Sequence, residues 1–184
     1  MEGEASEQGA PTMYVIDKRD MVVELRDLPQ SSVGAPCPVV LVGEHCLSVA
    51  YFVQNAPPGW DGTTVRVVGH ETPGEPASIV RFIRPYASLF GPPNDEAFAG
   101  HPLAERGLHP YGAFEVQQSS WIRSLAEMNS VHPHHRSELF ADYRHFVLAF
   151  HDTTFECVAT GYEHELTAGP VNQLIAREAA RLPE

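Results

Sequence analysis

Short connections between strand-like segments constrain the fold of this chain more than any other feature of its sequence. Six runs rich in Val, Ile, Tyr and Phe follow one another in residues 12–90, separated by turns or short loops. Such side chains fit a pleated, half-buried surface. Parallel neighbours would need a crossover of about a dozen residues or more, whereas antiparallel neighbours need only a hairpin. The sequence therefore predicts an antiparallel sheet or a partly open barrel for the N-terminal half.

The second half is predicted to add two helices and a late β-hairpin to this sheet. Apolar residues recur at three- and four-residue steps in residues 113–132, which predicts an amphipathic helix with Ser119 and Ser120 near its middle. Two strand-like runs, YRHFVLAF and FECVAT, flank a short polar turn. Residues 171–182 form a second amphipathic pattern that begins after a Gly-Pro pair. The predicted fold class is α+β.

Length, charge and cysteine content narrow the class of protein. We expect a disordered acidic tail in residues 1–11 and a single α+β domain in residues 12–184. The formal net charge is −12, and so negative a surface would repel the phosphates of nucleic acids and anionic lipids. Neither a nucleic-acid nor a membrane partner is therefore expected. The three cysteines form no CxxC pair and no signal peptide is recognisable, so we expect a cytoplasmic location.

The densest concentration of proton-transferring and metal-binding side chains lies in His132–Glu156. This stretch contains five of the ten histidines and four carboxylates. Imidazole and carboxylate are the groups that move protons and hold metals near neutral pH. No spacing in this stretch matches a motif with a known mechanism, so the sequence indicates where a site lies but not which reaction it performs.

A register can be assigned to the late hairpin from its turn residues. With the turn at Asp152-Thr153, or over the four residues 151–154, Phe150 lies opposite Phe155. One face of the hairpin is then apolar throughout, and consists of Phe146, Leu148, Phe150, Phe155, Cys157 and Ala159. The other face carries His145 and Glu156, with His151 one diagonal step from Glu156. We expect the two phenylalanines to be buried and the polar groups to lie on the opposite face.

Three hypotheses compete for these polar groups. In the first, two histidines and one carboxylate bind a divalent Fe, Zn or Mn ion. The ligands would be Glu156, either His145 or His151, and a loop histidine from His132, His134 and His135. In the second, His151 paired with Glu156 or Asp152, together with His145, performs general acid–base catalysis on a small substrate. In the third, all of them are ordinary surface and turn residues that form modest cross-strand pairs.

A second polar cluster begins the irregular segment that follows residue 90. Asn94, Asp95 and Glu96 are followed by His101. Asn94 is suited to cap a short helix, whose first turn would favour the two acids. Alternatively, Asp95, Glu96 and His101 join the late hairpin and close one pocket, because loops on a rigid sheet commonly carry sites.

Two functions of different class follow from these patterns. The first is a small enzyme or ligand-binding domain whose His/carboxylate pocket takes a small-molecule ligand and is metal-dependent in one version. The alternative is an acidic interaction module, of the immunity or inhibitor type, that uses its charge to bind a basic protein partner. Convergent His/Glu geometry favours the first function, and scattered histidines beside a contiguous acidic surface favour the second.

Overall fold

The computed structural model describes residues 14–55 and 67–182. The predicted tail, residues 1–11, lies outside the described residues. The strands are β1 (Met21–Glu24), β2 (Val39–Val42), β3 (Leu47–Phe52), β4 (Pro76–Ile83), β5 (Ala87–Gly91), β6 (Ala113–Gln117), β7 (Arg144–Ala149), β8 (Thr154–Ala159) and β9 (Gly161–Ala168). The helices are α1 (Ser120–Asn129) and α2 (Val171–Ala179), with short 3₁₀ turns at Phe98–Gly100, Ala104–Arg106 and Ser137–Phe140.

The strands form two antiparallel sheets. Sheet I has the order β1-β6-β7-β8-β5, and sheet II has the order β2-β3-β4-β9. Both sheets keep two free edges, so the barrel is not closed. The predicted α+β class with antiparallel pairing is confirmed. Neither helix in the described part of the chain is long and apolar enough to cross a membrane.

The main hydrophobic core lies between the two sheets. Sheet II contributes Leu47, Val49, Tyr51, Val80 and Phe82, and sheet I contributes Phe146, Leu148, Phe150, Phe155, Cys157 and Ala159. These residues follow a period of two along each strand, as expected when alternate side chains point to one face of a sheet. Aromatic rings pack across the interface, with the Tyr51 and Phe150 ring centroids 5.3 Å apart.

Each sheet is also covered on its outer face. Helix α2 packs on sheet II through Val171 and Leu174. The irregular segment 92–112 covers the outer face of sheet I, where Phe98, Leu103 and Leu108 pack against apolar side chains of β6 and β7. This second cover explains why the polar face of the late hairpin is buried instead of wet.

Most elements of the predicted sheet are confirmed, with two exceptions. The β2–β3 hairpin, strand β4 and the C-terminal helix lie where the sequence places them. The predicted strand at residues 14–16 is irregular, and so are the described residues of the predicted strand at 65–71. Strand β9 was not predicted from its polar sequence, because it lies at a free edge of sheet II with most of its side chains exposed.

The prediction of one helix over residues 113–132 is wrong in its first third. Residues 113–117 form β6, because Phe114 and Val116, two residues apart, are both buried in the outer core of sheet I. Gln118 adopts a positive φ of 51° and Ser119 then caps α1. Ser119 therefore lies at a sharp strand-to-helix turn and not in the middle of a helix.

The late hairpin forms with the predicted faces but with a register shifted by two residues. Leu148, not Phe150, lies opposite Phe155, and Val147 lies opposite Glu156. The amide of Phe150 donates to the carbonyl of Thr153 at 2.9 Å, so the turn consists of His151 and Asp152 and begins one residue before the predicted two-residue turn. A shift of two residues preserves the faces, since side chains alternate with the same period.

Burial of Phe155 between the sheets makes a testable prediction about stability. Its side chain is fully buried, whereas its cross-strand partner Phe90 is 48% exposed. Phe155→Ala is expected to lower the free energy of unfolding by about 3–5 kcal/mol, because it leaves a cavity. Phe90→Ala, the matched control, should cost less than about 1 kcal/mol. Urea unfolding followed by circular dichroism measures both, and equal losses would contradict the packing described.

Candidate functional site

The carboxylate of Glu156 is the centre of a buried polar network on the outer face of sheet I. Its Oε2 atom lies 2.7 Å from Tyr14 Oη and 2.8 Å from His145 Nε2. Its Oε1 atom lies 3.2 Å from His101 Nε2. The side chains of His101, His145 and Glu156 are completely buried. We call these four residues the Glu156 network.

Hydrogen-bond partners define where the protons of this network lie. The amide of Leu103 donates to His101 Nδ1 at 3.1 Å, so the ring proton of a neutral His101 is on Nε2 and points at Glu156. In the neutral form of His145, the proton on Nε2 leaves Nδ1 free to accept from Ser119 Oγ at 2.9 Å. Ser119 Oγ in turn accepts from the amide of Ile122 at 3.3 Å. Every polar atom of the network thus has a partner of the right kind.

Electrostatics favour a charged carboxylate in this network. Burial alone would raise the pKa of Glu156, but the hydrogen bonds from His101 and His145 outweigh it and lower the pKa to about 2. Burial, together with the nearby charge of Glu156, raises the pKa of Tyr14, which therefore remains a donor. The carboxylate is ionised near neutral pH and accepts three hydrogen bonds.

Aromatic rings enclose the imidazole of His145. Tyr14 stacks on Trp121 with ring centroids 5.7 Å apart and an interplanar angle of 5°. Trp121 meets the His145 ring edge-on at 5.0 Å, and Tyr14 does so at 5.8 Å. These contacts fix the orientation of His145 and separate it from water.

The Glu156 network does not fit a metal ion. A histidine binds a metal through a ring nitrogen that carries no proton. Because His101 Nδ1 accepts a backbone N–H, its Nε2 atom carries the proton and has no lone pair to offer. Throughout residues 14–55 and 67–182, moreover, no three His, Cys, Asp or Glu side chains converge in a way that could hold a metal ion.

A second polar cluster lies at the surface, around the turn of the late hairpin. His151 Nδ1 lies 2.9 Å from Asp95 Oδ2 and 3.0 Å from Tyr111 Oη. Tyr111 also donates a short hydrogen bond to Asp95 Oδ2. The backbone reinforces the pair, since the amide of Asp95 donates to the carbonyl of His151 at 2.9 Å. We call Asp95, Tyr111 and His151 the surface triad.

The surface triad differs from the buried network in access and in electrostatics. The side chain of His151 is 39% exposed. The hydrogen bond from Tyr111, and then that from His151, lowers the pKa of Asp95. The same bond to Asp95 raises the pKa of Tyr111 to about 12. Near neutral pH, Asp95 is therefore an anion and Tyr111 a neutral donor.

An open cleft of about 680 Å³ adjoins the surface triad. Tyr111 and His109 line it on one side, and Phe150, the residue before His151, lines it on another. Its remaining walls include four buried or half-buried apolar side chains, namely Leu25, Leu28, Tyr51 and Leu148. The volume lies in the range of sites that bind small molecules.

The structure does not bring the predicted metal ligands together. The rings of His132 and His134 are 5.8 Å apart on an exposed loop, and His135 bonds Asn129. His151 contacts the surface triad, whereas Glu156 contacts the buried network. The five residues are therefore distributed over three places.

The other predicted site residues are partly brought together. Asp95 contacts His151 and His101 contacts Glu156, so the irregular segment does meet the late hairpin, at two points instead of one. His151 pairs with neither Asp152 nor Glu156. Asn94 Oδ1 accepts from the amide of Ala97 at 3.0 Å and caps a turn. Glu96 is exposed.

Tyr14, Tyr111 and Ser119 contact these clusters but were not predicted as site residues from the sequence. Tyr14 lies 142 residues from Glu156 along the chain, and no local pattern predicts a contact at that distance. The sequence gives only a weak indication of a special turn at Tyr111, namely its position between Pro110 and Gly112. The structure shows that Tyr111 adopts a positive φ of 64° there. Ser119 could have been identified if residues 113–117 had been interpreted as a strand, because Ser119 would then lie between a strand and a helix.

The lowered pKa of Glu156 makes stability depend on pH. Its ordinary pKa is 4.5 and its folded value about 2, so its contribution is complete above pH 4.5 and is lost as the pH falls toward 2. The full contribution is about 3 kcal/mol, of which about 2 kcal/mol is expected to be lost between pH 7 and pH 3. Urea unfolding of wild type and Glu156→Gln between pH 7 and pH 3 measures it as a difference.

The Glu156→Gln variant isolates this contribution from those of other carboxylates. It should be less stable than wild type at pH 7 by about 3 kcal/mol, since its amide cannot accept from three donors. The gap should narrow as the pH falls. A gap that stays constant from pH 7 to pH 3 would show that Glu156 keeps its ordinary pKa.

The buried network and the surface triad contain the same chemical groups in opposite environments. Of the two clusters, only the surface triad has an imidazole that is exposed to solvent beside a cleft, and within the described residues the Nε2 atom of His151 has no hydrogen-bond partner. Comparison of the chain with protein-family models, curated proteins and solved structures found no match.

Proposed function

We propose that this protein is an enzyme that performs general acid–base chemistry on a small molecule bound in the cleft beside Tyr111. His151 is the proton-transferring group and acts through Nε2. Asp95 is a positioning residue that holds the ring through Nδ1. The observation that carries the proposal is the orientation of the half-exposed imidazole of His151 by the carboxylate of Asp95, next to a cleft lined by Tyr111 and Phe150.

The carboxylate–imidazole pair has the geometry that general base catalysis requires. A proton on Nδ1 donates to Asp95, so Nε2 carries the lone pair and faces away from the carboxylate. A negative charge at Asp95 stabilises the imidazolium that forms when Nε2 takes a proton. Because the pKa of Asp95 is lowered, this support persists into mildly acidic conditions. General acid–base catalysis of this kind typically contributes about 10²–10⁴-fold in rate.

Backbone strain at Tyr111 supports a functional role for the triad. Its φ of 64° lies in the left-handed region, which is uncommon for residues other than glycine. Such outliers cost about 1–3 kcal/mol and cluster at functional sites. Here the conformation lets one side chain line the cleft and bond Asp95 at the same time.

A turnover assay with an unbiased substrate pool tests the proposal. The protein would be incubated in D₂O with a mixture of small carbonyl and hydroxy compounds, and turnover and deuterium incorporation followed by mass spectrometry. Wild type is expected to change at least one compound. His151→Gln should lower kcat for that compound by about 10²–10⁴-fold. Asp95→Asn should lower kcat while leaving KM nearly unchanged, since it acts through His151.

A matched control variant distinguishes the loss of a catalytic imidazole from the nonspecific effect of replacing a histidine. His164 lies on strand β9 and is exposed. His164→Gln should therefore turn over the same compound at the wild-type rate. Equal activity in wild type and His151→Gln would refute the role of His151, and no turnover of any compound would favour the alternative function.

The alternative is an acidic module that binds a basic protein. Six described arginines already form ion pairs with carboxylates, namely Arg19, Arg26, Arg81, Arg123, Arg144 and Arg181. With twelve basic against twenty-four acidic residues, the chain has a formal charge of −12, and its carboxylates outnumber its cations two to one. Binding to a basic partner through such a surface would weaken steeply with added salt.

A further inference from the structure

Ser119 occupies a position that the proposed acid–base function does not use. Strand β6 ends at Gln117, Gln118 turns the chain with a φ of 51°, and α1 begins at Ser120. The side chain of Ser119 thus projects from a sharp strand-to-helix turn. A hydroxyl held at such a turn is presented in a fixed orientation, as in enzymes that place a nucleophilic serine between a strand and a helix.

A hydroxyl, an imidazole and a carboxylate are aligned behind this turn. Ser119 Oγ lies 2.9 Å from His145 Nδ1, and His145 Nε2 lies 2.8 Å from Glu156 Oε2. Both distances lie within the range in which a base accepts the proton of a nucleophile and a third group orients the base. The amide of Ile122 also donates to Ser119 Oγ, which stabilises negative charge on the oxygen.

Ser119 forms part of the wall of a second open cavity, of about 540 Å³. Its lining mixes charged with apolar side chains, and it includes Arg19, Arg123, Arg144 and Glu115 together with Ile122 and Phe140. His145 and Glu156 lie behind the hydroxyl and are completely buried, so Ser119 is the only one of these three residues that lines the cavity. A substrate in the cavity would meet the hydroxyl and not the imidazole.

We propose that Ser119 is the nucleophile of a second site, which hydrolyses carboxylic esters with a polar acyl group, and that His145 is its base with Glu156 as the positioning residue. Ser119 Oγ attacks the carbonyl carbon while its proton passes to His145 Nδ1. The C–O bond to the alcohol breaks, and the alcohol leaves with that proton. Water then gives a proton to His145 Nδ1 and attacks the carbonyl carbon of the acyl-serine. The bond between that carbon and Ser119 Oγ breaks, Oγ takes the proton back from His145, and the carboxylic acid is released.

Labelling with diisopropyl fluorophosphate tests the assignment. The serine oxygen displaces fluoride from phosphorus, so a reactive serine gains one diisopropylphosphoryl group. Intact-mass and peptide analysis should find one adduct, at Ser119. Ser120→Ala is the matched control, because Ser120 is the next residue, is buried, and its Oγ has no hydrogen-bond partner among the residues that the structure describes. That variant should be labelled like wild type, and Ser119→Ala should not be labelled.

A second variant keeps the test decisive if Ser119→Ala folds poorly after losing its helix cap, which costs about 1 kcal/mol. Ser119→Cys places a thiol next to His145. This thiol should react with iodoacetamide at pH 7 at least about tenfold faster than the native Cys37, Cys46 and Cys157, and His145→Gln should abolish the difference. No adduct at Ser119, or an introduced thiol no faster than the native ones, overturns the proposal. Neither result depends on His151.

Discussion

Burial of the Glu156 carboxylate is the constraint on which the organisation of this chain depends. An ionised carboxylate removed from water is costly unless donors replace the water. Tyr14, His101 and His145 supply three donors, and among the described residues no lysine or arginine contacts the carboxylate. These donors come from the N-terminal segment, the irregular segment and β7. One buried charge therefore ties three separate parts of the chain to β8.

The irregular segment 92–112 is ordered mainly by such contacts, because it contains only two short 3₁₀ turns. Its apolar side chains pack on sheet I, and its polar groups bond the late hairpin at several points. Thr154 Oγ1 donates to the carbonyl of Pro93 at 2.8 Å, and His101 and Asp95 meet Glu156 and His151. Long irregular stretches in a compact domain are more often functional than neutral. In this chain the segment covers the Glu156 network, to which it contributes His101, and it supplies Asp95 and Tyr111 to the surface triad.

Sequence periodicity predicted antiparallel strands, but it placed the strands of the N-terminal half in one sheet, whereas the structure divides them between two, and it could not predict what covers each sheet. The two faces of the late hairpin were assigned correctly, because alternation survived a register shift of two residues. Residues 113–117 were assigned to a helix, because Phe114 fits both a helical and a strand pattern. The contact between His101 and Glu156 spans 55 residues and depends on a segment without periodicity. The pairing of Asp95 with His151 was suspected as a pocket, but the sequence contains nothing that specifies the partner atoms.

The two polar clusters are mechanically linked, although they share no side chain. Asp95 and His101 lie six residues apart on the same segment, and the carbonyl of Asp95 accepts from the amide of Phe98, which begins the 3₁₀ turn leading to His101. A positioning carboxylate must hold its imidazole within a fraction of an ångström, and precision of this kind comes from rigid support behind the first contacts. The buried charge provides that support, since displacing His101 would leave Glu156 short of a donor. We therefore expect the orientation of His151 at the surface to change when the buried carboxylate of Glu156 is removed.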